Sequence, residues 1–220
     1  MAKQGAEKRG QQKPDAEEQK TCFIIMPITT QENYFDLYRD TEEHFRHVLD
    51  LLMMPAVEKA GYTPIRPSAQ GADLIHAEII QNLQSADLVL CDMSCVNPNV
   101  LFEFGIRTAL NKPVCIVKDD KTPKVPFDTM VLNYHQYRSA LDSWHLPEDI
   151  RLITSHIRDS AKRSKGDNAL WRYFGLRTAA TPFEGDDTSE NMMGSMLNMM
   201  DSMRMQFAAA LHRRDSRDQI

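Results

Sequence analysis

The apolar run Leu88-Val-Leu-Cys-Asp92 stands just ahead of Asn97-Pro-Asn-Val-Leu-Phe-Glu-Phe-Gly105, and this pairing narrows the fold more than any other feature of the chain. Leu88 to Cys91 shows no apolar/polar alternation, the pattern of a strand covered on both faces. Asn97 is a strong N-cap, and Pro98 suits a first helical position, where no backbone donor is needed. Asp92 is therefore expected at the carboxyl end of a buried strand, with Glu103 about a turn and a half into the helix that follows. In an open α/β sheet, that end of the strands is where ligands bind.

The same grammar repeats along the chain. Cys22-Phe-Ile-Ile-Met26 reads as a first buried strand, and Phe45, Val48, Leu49 and Leu52 mark one helix face. Pro55 should kink or restart that helix and Gly61 should close it. Tyr62–Arg66 reads as a short edge strand, because Pro64 cannot donate to a ladder. Asp73 can cap a helix carrying Ile75, Ile79 and Leu83. A strand at 87–92, a helix at 98–110 stopped by Asn111, and a strand at Pro113–Val117 follow. Residues 119–130 read as a loop, 131–137 as a fifth strand, and Pro147 opens a helix with Ile150, Ile153 and Ile157 inward and Lys162 and Arg163 at its end. Alternating strands and helices predict an α/β, doubly wound parallel sheet of about five strands over 21–163. Residues 1–20 read as a disordered polar tail. Residues 164–220 read as a helical extension, with a methionine-rich amphipathic helix at about 190–211.

That last segment is distinctive. Met192, Met193, Met196, Met199, Met200, Met203 and Met205 are seven of the chain's 13 methionines. Met192, Met196, Met199, Met203 and Phe207 fall on one helical face, broadened by Met193, Leu197, Met200 and Leu211. Such a soft apolar stripe fits docking on an irregular partner or on a second copy of the chain. Asn198, Asp201 and Arg204 make it too polar for a membrane span.

Composition removes several classes. The net charge is −5 and both signs are interspersed over the 220 residues, so no basic face suits nucleic acid. No apolar run approaches the length of a membrane span, and the N-terminus does not read as a signal peptide. Cys22, Cys91, Cys95 and Cys115 lack zinc spacing and read as buried free thiols, which gives a cytoplasmic expectation with neither metal nor cofactor. His44 and His47 stand at i, i+3, and a solvated helix face accounts for them. Asp92 also invites comparison with the phosphoacceptor of a receiver domain. That reading needs an acidic pair after the first strand, where Met26-Pro27-Ile28 stands instead.

Five segments, in order, resemble one family: Cys22-Phe-Ile-Ile-Met-Pro27, Ala60-Gly-Tyr62, Ala86-Asp-Leu-Val-Leu-Cys-Asp92, Asn97 through Gly105, and Lys112-Pro-Val114. The family is the nucleoside 2-deoxyribosyltransferase-like group, related to bacterial TIR-like domains that cleave NAD, and the match spans about 21–140. The resemblance implies a flavodoxin-like fold and chemistry at an N-glycosidic bond. It assigns Glu103 as nucleophile or ion-stabilising carboxylate and Asp92 as an acid contacting ribose or base. Asn97 and Asn99 would shape the pocket, and Met26, Pro27, Thr29, Arg66 and Arg107 complete the expected substrate-binding set. Ile28-Thr29-Thr30 stands where the family usually has a glycine. A stress or antiviral effector role follows from the TIR-like relatives.

The chemistry is consistent with these residue types. Breaking a C1′–N bond builds positive charge on the sugar, which a carboxylate beneath the anomeric carbon stabilises or traps. Arg107, one turn beyond Glu103, is expected to pair with it and favour the anion. Taken alone, that spacing describes a surface pair worth about 0.3–0.5 kcal/mol. Asp92 taken alone is equally a carboxylate capping the next turn. A cationic leaving group such as nicotinamide needs one carboxylate, whereas a neutral base needs a proton that Asp92 would supply. Arg39, Arg66, Thr29 and Thr30 tilt the expectation towards a nucleotide such as NAD. The alternative is a catalytically silent nucleotide-sensing or scaffold module that assembles through its C-terminal helix.

Overall fold

The computed structural model describes residues 19–67, 74–122 and 133–174, together with residue 179. Five parallel strands, β1 (Thr21–Ile25), β2 (Thr63–Ile65), β3 (Leu88–Asp92), β4 (Val114–Asp119) and β5 (Tyr134–Tyr137), lie in the order β2-β1-β3-β4-β5. This is the flavodoxin-like order, and it places the topological switch between β1 and β3. The register runs Cys22 against Leu88 through Ile25 against Cys91, and Val89 against Val114 through Asp92 against Val117.

Strand alternation divides the core into two layers. Cys22, Ile24, Leu88, Leu90, Cys115 and Val117 pack on one face. Against them lie α1 (His44–Val48), α2 (Met54–Ala60) and α5 (Leu146–Ser164), which supply Phe45, Val57 and Ile153. Phe23, Ile25, Val89, Cys91 and Ile116 pack on the other face. There they meet α3 (Leu74–Ser85) and α4 (Pro98–Ala109), with Leu83, Val100 and Phe104. A short helix, α6 (Ala169–Phe174), hydrogen-bonds to the end of α4 through Trp171 Nε1 and the Thr108 carbonyl, 2.5 Å apart.

Helices begin and end where the residues require. α1 and α2 run on through a wide π turn at Leu49–Met53, just ahead of Pro55, which sits in the first turn of α2. Widening the turn accommodates the residue that lacks an N–H. Gly61 then closes α2 at φ +96°, with Tyr62 N reaching the Val57 carbonyl. Asn97 Oδ1 accepts from Asn99 N at 2.9 Å and Val100 N at 3.4 Å, as an N-cap should.

One expectation needs correction. β4 extends beyond Val117 to Asp119, with Lys118 and Asp119 both buried, so the start of the expected loop is strand. At Gly105 an added Cβ would meet nothing within 4 Å among the described residues. The cap at Asp73, the tail at 1–18 and the methionine-rich segment at 190–211 lie outside the described residues. None of the described helices is long and apolar enough to cross a membrane.

Candidate functional site

β3 and β4 end side by side on aspartates, and both carboxylates are fully buried. Asp92 Oδ1 accepts from Ser94 N at 3.0 Å and Ser94 Oγ at 2.5 Å, while Tyr137 donates to Oδ2 at 2.7 Å. Asp119 Oδ2 accepts from the Tyr38 hydroxyl at 2.5 Å, and its Oδ1 accepts from Thr122 N at 2.7 Å. Ser94 Oγ links the two by accepting from Asp119 N at 2.9 Å. Burial pushes the Asp92 carboxyl up to about 7, against the lowering effect of Ser94 and Tyr137. No face of Asp92 is open to a ligand.

The turn out of β3 is strained. Cys95 and Val96 hold φ of +56° and +48°, a region that a β-branched residue avoids. Their neighbours fix the turn: Cys95 N donates to Thr122 Oγ1 at 2.8 Å, and Cys95 Sγ lies 3.3 Å from the Tyr38 hydroxyl. Tyr38 itself stacks on His44, with ring centroids 4.0 Å apart and planes at 12°. His44 is therefore buried, with its Nδ1 3.0 Å from Asp40 Oδ1; only His47 takes the solvated position expected of both.

Glu103 has a different environment. It is half-buried on α4, and burial alone pushes its carboxyl up to about 7. No side chain or backbone group among the described residues hydrogen-bonds or ion-pairs with it. Arg107 does not pair with Glu103, contrary to the spacing argument. Its guanidinium is fully buried and donates to the carbonyls of Pro113 at 3.0 Å, Leu83 at 2.6 Å and Ala86 at 2.9 Å. Helix rotation decides this: Arg107 falls with Val100 and Phe104 on the inward face of α4, where the strand and helix ends turn carbonyls towards it. Burial lowers the Arg107 pKa to about 10, so it stays charged at neutral pH.

Strand parity separates the two carboxylates. Asp92 follows Leu88 and Leu90 to the face of α1, α2 and α5, whereas α4 packs on Cys91 and Met93 on the opposite face. The structure thus brings Asp92 and Glu103 to the same end of the sheet, on different sides of it.

Met26, Pro27, Thr29 and Arg66 do come together. They line a cavity of about 320 Å³ at the carboxyl ends of β1 and β2, walled also by Phe45 and Leu49 of the helix that begins with α1. Arg66 Nη1 pairs with Asp50 Oδ1 at 2.8 Å on the rim. Neither Glu103, Asn97 nor Asn99 lines this cavity. Among the described residues no group of three His, Cys, Asp or Glu side chains could hold a metal ion.

Sequence reasoning missed Asp119, Tyr38, Ser94 and Tyr137. One signal was available: the apolar runs Leu88–Cys91 and Val114–Val117 both lead into an aspartate, Asp92 directly and Asp119 after Lys118.

No protein-family model matches the chain, and no curated protein matches it. Among solved structures it is similar to a 2-desoxiribosyltransferase from Leishmania mexicana, at 22% identity and a TM-score of 0.34, over 47% of this chain and 67% of that one.

Proposed function

We propose that the protein cleaves or transfers at an N-glycosidic bond of a nucleotide or nucleoside, with Glu103 as the carboxylate that meets the anomeric carbon. One observation carries this reading: Glu103 is half-buried, is raised to about 7 by that burial, and has no partner among the described residues. A carboxylate desolvated without compensation weakens a fold, so its presence fits a group that awaits a cationic centre. An oxocarbenium-like transition state supplies that centre and would draw Glu103 into its ionised form.

The sealed position of Asp92 bears on the substrate. With both oxygens hydrogen-bonded and no exposed surface, Asp92 has no path to protonate a departing neutral base. A leaving group that already carries positive charge needs no such acid, which favours an NAD-type nucleotide. The resemblance to NAD-cleaving domains extends the proposal to a stress or antiviral effector. In this reading Asp92 is a positioning residue that holds the turn into α4, and Asn97 caps the helix that carries Glu103.

The test is to incubate the protein with NAD and with a panel of nucleosides, following nicotinamide or free base by chromatography. Product release that Glu103→Ala abolishes is expected. Undiminished release by that variant would overturn the assignment.

A second reading is favoured by the cavity at Met26, Pro27, Thr29 and Arg66, which Glu103 does not line. A nucleotide-sensing module would bind there without turnover, giving saturable binding and no product in the same incubation.

A further inference from the structure

Lys118 is an ammonium buried near the end of β4, only 7% exposed. Among the described residues no carboxylate pairs with it. Its Nζ donates to the Thr122 carbonyl at 2.8 Å and stands 5.5 Å from the centre of the Tyr134 ring. The first of these contacts uses one of three N–H donors. The turn at 119–122 is also fixed without it, because Thr122 N donates to Asp119 Oδ1 and Thr122 Oγ1 accepts from Cys95 N. A buried ammonium with no anion beside it is costly, so its spare donors point to a negative group supplied from outside the chain.

Strand parity shows which side of the sheet that group approaches. On β4, Cys115 and Val117 pack towards α1, α2 and α5, whereas Ile116 packs towards α3 and α4. Lys118 follows Ile116 to the α4 face, and so does Tyr134, which pairs with Ile116 across β5. Glu103 stands over the same face. Burial, and then the charges of Asp92 and Glu103, hold the Cys91 thiol well above its ordinary value, which places Glu103 near Cys91. Cys91 pairs with Ile116, so the Cα of Lys118, two residues further on, lies roughly 8 Å from that of Cys91.

We infer that Lys118 binds a phosphate of the substrate on which Glu103 acts, so that the substrate is a nucleotide and not a nucleoside; this rests on the N-glycosidic reading of Glu103. Lys118 and Glu103 are opposite charges on one face of the sheet, and they do not pair with each other. A nucleotide matches both. Its phosphate is an anion that lysine meets as a point charge, and its sugar turns cationic as the C1′–N bond breaks. Asp119 follows Val117 to the opposite face, as Asp92 does, so neither of the buried aspartates shares the face on which the phosphate would lie.

The experiment measures binding of nicotinamide mononucleotide and of nicotinamide riboside, which differ by one phosphate, to the full chain carrying Glu103→Gln so that neither is consumed. The mononucleotide is expected to bind at least tenfold more tightly. Lys118→Met should erase that preference and leave the affinity for the riboside within about twofold, which also reports an intact site. Lys118→Arg keeps the charge and should keep most of the preference. A structural role would weaken both ligands alike and leave their ratio unchanged. The inference is overturned if the mononucleotide has no advantage to begin with, or if the ratio survives Lys118→Met. Turnover is followed separately with Glu103 intact. A preference that depends on Lys118 in a protein that releases no product would sink the glycosidic reading alone. Product release with a ratio indifferent to Lys118 would sink this inference alone.

Discussion

The carboxyl end of the sheet has two halves built on opposite principles. At β3 and β4, Asp92 and Asp119 are shut from water, and their oxygens are met by Ser94, Tyr137, Tyr38 and Thr122. At β1 and β2 the chain leaves a cavity of about 320 Å³, whose rim arginine, Arg66, pairs with Asp50 in an exposed contact. The contrast shows that a carboxylate at a strand end need not be a ligand group. A buried polar network whose members are all satisfied rigidifies a turn, and a polar group left open is free to bind. Glu103 belongs with the second kind although it stands next to the first in sequence.

The sharpest way to break this division is Glu103→Gln. Catalysis is expected to fall roughly a hundred- to a thousandfold, the scale for removing one charge partner of a transition state. Stability should move the other way. Folded Glu103 titrates at about 7 and an unfolded glutamate at about 4.3, so the folded state binds the extra proton between those values. The Glu103 contribution to stability is therefore greatest on the acid side and falls as pH rises towards 7. Melting followed at pH 5 and pH 8 should show the variant gaining on the wild type only at pH 8. A variant that loses stability at pH 8 would mean that Glu103 is a structural anion.

Arg107→Met should damage the fold instead, by about 2–4 kcal/mol in urea unfolding, because the Leu83 and Ala86 carbonyls lose the guanidinium donor while Pro113 keeps only its bond from Val89 N. Asp119→Ala comes next, at about 2–3 kcal/mol, since it strands the Tyr38 hydroxyl and Thr122 N. If either change altered substrate affinity while leaving stability intact, the sealed half would have to be reassigned to the ligand.

Much of this was legible before the structure. Uninterrupted apolar runs marked β1, β3 and β4, and the order of strands and helices implied the parallel sheet. Asn97-Pro98, Gly61 and Asn111 marked helix boundaries through their own backbone chemistry, which acts locally. What could not be read was rotation and pairing across the fold. The i, i+4 spacing of Glu103 and Arg107 allowed contact, yet the carbonyls of Leu83 and Ala86, remote in sequence, and of Pro113 claimed the guanidinium. His44 looked like a solvated helix residue because nothing local announces that Tyr38 will stack on it. The Asp92–Asp119 link depends on strand register, which the chain specifies only once the sheet has formed.

The smallest expected effect tests the open half. Arg66→Ala removes an exposed pair with Asp50, so unfolding free energy should change by no more than about 0.5 kcal/mol. Loss of one charge-assisted contact to a nucleotide phosphate should still weaken binding roughly tenfold, which is about 1.4 kcal/mol. Titration calorimetry with NAD on the wild type and the variant separates the two quantities. Unchanged affinity would remove the nucleotide from the cavity at β1 and β2, leaving the face of α4 that carries Glu103 as the place to look for it.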